Sequence, residues 1–365
     1  MPDALRAHLT LALTPGLGPR KIKQLVTHFG SAEAVLEADR EALAEVEGIG
    51  PKLIESLAIS EVGEAVEREL ERAAKLGVAL LPLSDPRYPE SLRQIFDPPS
   101  VLYVHGELPA ALHELRSLAV VGTRNASEHA LALAKTLARE LAALGVVIVS
   151  GLALGVDGAA HEGALTAENG RTVAVLGSGV DKVYPSQHQR LARRLIDAGG
   201  AVVSEYRLGT TPRAENFPGR NRIITGLSHG VVVVEAGQKS GALITADFAT
   251  EEGRTVFAVP GRVGDPRAAG SLALLRQGAV LVTCAQDVLD EFGWQRAPKT
   301  AKTLELDPVQ QQLVDAVLEH GSPLLDDLIA ATGRDSSELL PLLTLLELRG
   351  IVKSIPGGRY IVVAN

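Results

Sequence analysis

Between Leu118 and Cys284 the chain repeats one pattern: a short apolar run, a glycine-bearing loop, then a stretch long enough for a helix. The runs are Leu118–Val121, Val146–Val149, Thr172–Leu176, Ala201–Ser204, Val231–Glu235, Thr255–Val259 and Val280–Val282, with helix-length segments such as Ser127–Leu144 and Ser186–Ala198 between them. Val, Ile, Leu and Ala follow one another without polar alternation, which marks strands covered on both faces. Parallel strands need long crossovers, and this spacing supplies them. The pattern predicts a doubly wound, mostly parallel, Rossmann-like α/β sheet, with ligands at the carboxyl ends of its strands.

The loops following these strands carry the candidate chemistry. They are Gly122-Thr-Arg-Asn, Ser150-Gly-Leu-Ala-Leu-Gly-Val-Asp, Gly177-Ser-Gly-Val-Asp-Lys, Glu205-Tyr-Arg, Phe217-Pro-Gly-Arg-Asn-Arg and Ala236-Gly-Gln-Lys-Ser-Gly. In a parallel sheet they converge on one rim, where Gly and Ser let backbone N–H groups approach an anion and helix N-termini favour it. Arg124, Lys182, Arg190, Arg207, Arg220, Arg222 and Lys239 would surround that rim. No phosphate-cradling G-x-x-x-x-G-K-[ST] loop is present, and the first strand–helix turn has one glycine rather than G-x-G-x-x-G. Several separated basic loops suit a polyanion lying across the rim, and Tyr184, Tyr206 and Phe217 are candidates to stack bases or to pack in the core. Asp157 and His161 are four apart on an expected helix, but no nucleophile or second base is spaced to help them, so they read as a brace for the glycine loop.

On either side the pattern changes. Residues 1–80 read as helical and contain two similar Gly-hydrophobe-Gly turns, Pro15-Gly-Leu-Gly-Pro and Glu47-Gly-Ile-Gly-Pro, which resemble tandem helix-hairpin-helix motifs. Their backbone N–H groups can meet a phosphate, and Arg20, Lys21, Lys23 and Lys52 lie beside them; packing against protein is the alternative. Residues 81–293 form the Rossmann-like domain, with a proline-rich lead-in at 81–116 that includes a short strand at Val101–Val104. A linker at 294–306 precedes a domain at 307–365, where helical patterns near Pro308–His320, Leu324–Thr332 and Asp335–Arg349 are followed by a hairpin, as in a winged helix. The third helix of that domain carries Asp335, Glu338 and Glu347, with Arg349 only at its end, which favours a protein-contact or structural role over major-groove reading.

Charge separates the same three parts. The net formal charge of −8 is divided as −4 in residues 1–80, −4 in residues 301–365 and zero between them, so the middle is the least acidic part. A single cysteine, Cys284, excludes an intramolecular disulfide and the usual zinc spacings. The opening Met1-Pro-Asp-Ala-Leu-Arg has no apolar leader, and no apolar run approaches a membrane span. A cytoplasmic location without membrane contact is expected, with no metal and no cofactor.

Taken together, the motifs resemble the DNA-processing protein A (DprA/Smf) family. They are Tyr88-Pro, Val121-Gly-Thr-Arg, the Ser150 to His161 stretch, Ala174-Val-Leu-Gly-Ser-Gly-Val-Asp, Ser204-Glu-Tyr, Phe217-Pro-Gly-Arg-Asn-Arg-Ile-Ile, Ser240-Gly-Ala-Leu-Ile-Thr-Ala and Val259-Pro-Gly. The resemblance implies a non-enzymatic homodimer that binds and protects incoming single-stranded DNA in natural transformation and loads the RecA recombinase onto it. Double-stranded DNA and a single-strand-binding protein are further partners on this reading. It also implies DNA contacts from Arg124 and from Arg220 and Arg222, with Asn221 between them, and from basic groups near Tyr184-Pro185, here Lys182 and Arg190. Gly122, Ser150, Gly151, Gly155, Gly177, Ser178, Phe217, Lys239 and Ser240 complete the candidate DNA-binding set. Ser186 stands where many relatives have lysine, and Leu272 where relatives often have a polar residue. Leu272, Leu274 and Leu275 are therefore candidates for a dimer or RecA surface. Two other readings stay open: a nucleotide-processing enzyme resembling phosphoribohydrolases, whose characteristic glutamate is not kept in the Glu235 to Ala246 region, and a duplex-DNA architectural protein.

Overall fold

A computed structural model describes residues 2–57, 61–108, 112, 116–294, 307–348, 351–355 and 358–362. The chain divides between Trp294 and Gln295 into two compact units. The first begins with helices α1 (Pro2–Leu13), α2 (Pro19–Phe29), α3 (Ala32–Glu37), α4 (Arg40–Ala44), α5 (Pro51–Leu57) and α6 (Glu61–Leu76). Proline opens α2 at a position where its missing N–H costs nothing, and Ser31 and Asp39 cap α3 and α4 by accepting from Ala34 N and Ala42 N. Leu11, Leu25, Val35, Val46 and Ile54 close a small core among these helices.

The sheet that follows has nine strands among the described residues: β1 (Val78–Pro82), β2 (Val101–Gly106), β3 (Ser117–Val121), β4 (Val147–Ser150), β5 (Thr172–Val175), β6 (Ala201–Ser204), β7 (Gly230–Val233), β8 (Thr255–Ala258) and β9 (Val280–Leu281). Their order is β1-β2-β6-β5-β4-β3-β7-β8-β9, parallel from β6 to β9 and antiparallel where β1 and β2 extend the edge. The unalternating runs arise because neighbouring side chains serve different cores. Ala119 and Val121 enter one core while Leu118 and Val120 enter the other; Val231 and Val233 are likewise opposed to Val232 and Val234. At β5 and β6, Ala174 and Val202 face a third core, to which α1, α6 and β1 also contribute, so the first helices pack directly on the sheet. Lead-in residues 81–99 are more ordered than connecting chain: β1 pairs with β2, and Tyr88 is buried with its hydroxyl donating to Pro99 O at 2.9 Å.

Helices α7 (Glu90–Arg93), α8 (Glu128–Ala143), α9 (Val156–Ala164), α10 (Gln189–Asp197), α11 (Asn216–Gly226), α12 (Gly241–Glu251), α13 (Ala269–Arg276) and α14 (Ala285–Phe292) cover the two faces. Helices α8 and α9 approach so closely that a Cβ at Gly163 would collide with the backbone carbonyl of Lys135. Strands β4 to β6 extend the sheet on one side of β3 and β7 to β9 on the other, so its switch point lies between β3 and β7. That is where a doubly wound fold opens a crevice.

The second unit comprises α15 (Pro308–His320), α16 (Leu325–Thr332), α17 (Ser336–Leu348) and the antiparallel pair β10 (Val352–Ile355) and β11 (Arg359–Val362). Leu313, Val317, Leu328, Leu339, Leu343, Leu346 and Val352 form its core, a winged-helix arrangement of three helices and a hairpin. Residues 295–306, most of the expected linker, and Arg349 lie outside the described residues. Among the described residues no helix is long and apolar enough to cross a membrane.

Candidate nucleic-acid interface

A pocket of about 680 Å³ opens at the switch point, lined by the loop after β3 (Gly122 to Asn125), the first turn of α11 and the start of α12. The β3 loop is fixed before any ligand arrives. Thr123 N donates to Glu235 O at 2.7 Å, and Asn125 N to Thr123 Oγ1 at 3.3 Å. The Glu235 carboxylate accepts from Ser127 N at 3.0 Å and Ser127 Oγ at 2.6 Å, while Ser127 Oγ accepts from Ala130 N as the cap of α8. Arg124 is left at the tip, exposed, its guanidinium 5.2 Å from the centre of the Phe217 ring.

The second loop leans on the first through Gly155, whose φ of +80° suits glycine and whose Cβ would run into the carbonyls of Thr123 and Arg124. We expect Gly155→Ala to destabilise the fold by about 1–3 kcal/mol through this overpacking, and to displace Arg124. Denaturant melts and oligonucleotide titration of the same variant check both effects; a parent-like melt would refute the packing argument.

Asp157 braces that loop, accepting from Gly151 N at 3.1 Å and Ala153 N at 3.4 Å. His161 does not join this brace; its Nδ1 meets Thr172 Oγ1 at 2.7 Å on β5. Arg220 reaches from α11 under the rim and donates to Gly151 O at 2.8 Å and to Val175 O, tying the ends of β4 and β5 together. Burial pulls its guanidinium down to about 10, with Asp157 favouring the charge and Arg124 opposing it, so it remains a cation at neutral pH. Burial pushes the Asp157 carboxyl up, opposed by Arg220 and the two backbone donors. Phe217 is flanked by Arg124 and by Arg220, 5.9 Å away, and Tyr184, 47 % exposed, lies 5.7 Å from it ring to ring. Two cations and two aromatic rings thus share one end of the pocket.

The pocket does not gather every residue expected from the sequence. Gly122, Arg124, Phe217, Arg220, Asn221 and Ser240 line it. Gly177 packs below Phe217, and a Cβ there would stand 3.1 Å from the ring. The Ser150 hydroxyl donates to Val120 O at 2.6 Å and the Ser178 hydroxyl to Lys182 O at 2.7 Å, so both brace the backbone. Gly151 N is taken by Asp157. Lys182, Arg190 and Lys239 are exposed outside the pocket lining. Tyr206 is half-buried, its hydroxyl 3.4 Å from Asn216 O.

Two expectations need correcting. Arg222 faces inward: its side chain is 5 % exposed, paired twice with Glu205 at 2.6 and 2.8 Å and bonded to Asp97 at 3.0 Å. Burial disfavours its charge, but Glu205 and then Asp97 outweigh that and hold the guanidinium above its ordinary range. Leu274 is a core residue with Leu275 packed against the same core, and only Leu272 and Leu275 of the three keep partial exposure. A turn of α13 must bury one side, so three leucines at 272, 274 and 275 cannot all present to a partner. Thr123, Asn125, Ala153 and Ile244 also line the pocket without having been singled out. The first two were accessible to the argument that placed Arg124, because they sit on the same strand-end loop.

Two of the basic residues beside the first hairpin, Arg20 and Lys23, turn toward protein. Lys23 Nζ donates to Ile95 O at 2.6 Å, and Arg20 stacks over Phe96 at 4.9 Å.

Fold and rim together define a doubly wound α/β protein with a cationic, aromatic-bearing crevice at its switch point. The chain belongs to the DNA recombination-mediator protein A family, whose model matches residues 79–293. Models of a SAM-like helix-hairpin-helix tandem and of the DprA winged helix domain match residues 9–61 and 297–358. Protein Smf of Escherichia coli is 42 % identical over 288 residues, which is 76 % of each chain. The crystal structure of DNA processing protein A from Streptococcus pneumoniae superposes with a TM-score of 0.67 at 34 % identity, covering 78 % of this chain and 97 % of that one. Helicobacter pylori DNA processing protein A, solved in a study of its single-stranded DNA binding mode, gives a TM-score of 0.52 at 31 % identity over 59 % of this chain and 95 % of that one. The resemblance read from the motifs is thereby established, as is the fold class.

Proposed function

We propose that the rim pocket binds single-stranded DNA, with Arg124 as its exposed phosphate contact and Phe217 and Tyr184 as stacking surfaces. The observation that carries this reading is the Arg124–Phe217–Arg220 stack. It is a free cation and an aromatic face held rigid by a buried cation, the combination that takes a backbone phosphate and an unpaired base together. A duplex, whose bases are already stacked, gains nothing from the rings, so single strands bind more tightly. The Helicobacter pylori relative, solved in a study of its single-stranded DNA binding mode, supports the assignment.

Three carboxylates near the rim, Asp157 in the first turn of α9 and Glu205 and Glu235 just after β6 and β7, are engaged by Gly151, Arg222 and Ser127, which supports binding without bond cleavage over a phosphoribohydrolase reaction. In the cell the protein protects incoming strands during transformation and passes them, as a homodimer, to a RecA-class recombinase.

The test is an anisotropy titration with single- and double-stranded oligonucleotides at two salt concentrations. For Arg124→Ala we expect affinity for single strands to fall on the order of tenfold and the log–log salt slope to shrink by about 0.7, with an unchanged melt because the side chain is exposed. Parent-like binding by Arg124→Ala and by Arg124→Glu would remove the rim as the site.

A further inference from the structure

Beside the rim lies a second cavity of about 650 Å³, lined on one side by α6 and on the other by the chain that follows β6. Residues 211–216 are the wall between them: Pro212 and Ala214 face the rim pocket, while Thr211, Arg213 and Asn216 face the second cavity. Four arginines line it, Arg68 and Arg72 one turn apart on α6, and Arg207 and Arg213 on the loop.

Two of the acids nearby are occupied by backbone or by anchoring. The buried Glu69 carboxylate accepts from Leu208 N at 2.6 Å, and Asp181 accepts from Gly209 N at 2.7 Å while holding Arg72 at 2.7 Å. Arg72 is further fixed by Leu208 O at 3.3 Å and by the bare Gly209, where a Cβ would stand 2.7 Å from its guanidinium. Arg68 and Arg213 have side chains 69 % and 68 % exposed, and their pairs with Glu64 and Glu215 are surface pairs of small worth. One positioned arginine and three exposed ones therefore face a groove that begins where the rim pocket ends.

We propose that this groove is a second phosphate-binding track, in which the sugar–phosphate backbone of a single strand leaving the rim crosses the 211–216 wall and runs between α6 and the β6 loop. The N-terminal helices then contribute to DNA binding through α6 rather than through their hairpin turns. The inference rests on the rim reading for the strand's starting point.

Oligothymidylates of about four and about sixteen nucleotides, the span of single-stranded sites, separate the two sites. The full-length double variant Arg68→Ala/Arg213→Ala is expected to bind the short oligonucleotide as the parent does. It should lose on the order of tenfold in affinity for the long one, with a salt slope reduced by about 1.4 for two lost contacts. Arg124→Ala is expected to weaken both lengths. Parent-like binding of the long oligonucleotide by the double variant would overturn the groove, as would equal weakening at both lengths. Failure of Arg124→Ala to weaken the short oligonucleotide would instead overturn the rim reading.

Discussion

Arg222→Ala is expected to destabilise the protein by about 3–5 kcal/mol, the range for removing one partner of a buried ion pair. The guanidinium closes a fully bonded set: Nη1 and Nη2 to Glu205, Nε to Asp97 and Nη1 also to Gly219 O at 3.1 Å. Truncation leaves the Glu205 carboxylate, 13 % exposed, without its counter-charge. It also releases the lead-in segment from α11, because Asp97 belongs to that segment. Chemical denaturation of the parent, Arg222→Ala and the double variant Arg222→Met/Glu205→Leu separates the causes. The double variant should recover most of the loss, since an apolar pair of similar volume leaves no buried carboxylate orphaned and Asp97, 34 % exposed, stays in reach of water. A single-variant loss below about 1 kcal/mol would mean that the pair is exposed in solution. The same proteins address DNA: the folded double variant is expected to bind single strands like the parent, because Arg222 points away from the rim.

The contrast between Arg220 and Arg222 shows what a sequence of this kind displays and what it withholds. Two residues on a helix are about 200° apart around its axis, so the arginines of Arg220-Asn221-Arg222 could not both face the rim, and helical spacing alone carried that signal. Which one turned away from the rim depended on Glu205 and Asp97, 17 and 125 residues away. The parallel strands β3 to β7 were legible to within one or two residues because both their faces are buried. β1 was not: it ends at Pro82, and its single exposed position, Ala79, gives no clear alternation, so it merges with the proline-rich lead-in. The rim loops were legible from their glycines and basic residues. Ser150 and Ser178 were misleading because a hydroxyl at a strand end serves the neighbouring backbone as readily as a phosphate. Nothing local marked Arg68 and Arg72, since the groove they line is made by a contact with residues more than a hundred positions later.

Acidification should cost the protein a large part of its stability through two buried histidines. His161 is fully buried, and burial, reinforced by His188 and Arg220 and opposed by the Ser150 backbone, lowers it to about 3. His8, buried against Ser100 Oγ at 3.0 Å, is lowered to about 4 by burial, with Glu33 opposing. Both folded values lie below the unfolded value of 6.5. Their stabilising contribution is therefore complete above pH about 6.5 and lost as pH falls toward about 4 and then about 3. At about 1.36 kcal/mol per pH unit for each proton taken up only by the unfolded chain, the two together remove about 5 kcal/mol between pH 7 and 4.5. That is a large share of the stability of an ordinary domain.

The tautomer of His161 makes the test specific. Thr172 Oγ1 donates to Ile148 O at 2.7 Å, so it accepts from His161 Nδ1–H, and protonation must add a charge at Nε2 within the core. His161→Leu keeps the Thr172–Ile148 bond and removes the titrating group. Urea denaturation from pH 7 to 4.5 should then show the steepest pH dependence of stability shrink in the variant by about 1.4 kcal/mol per unit, the share of one proton. An unchanged slope would place the acid sensitivity elsewhere. Single-strand binding should track the folded fraction through the same window, because the rim's own cation, Arg220, remains charged throughout it.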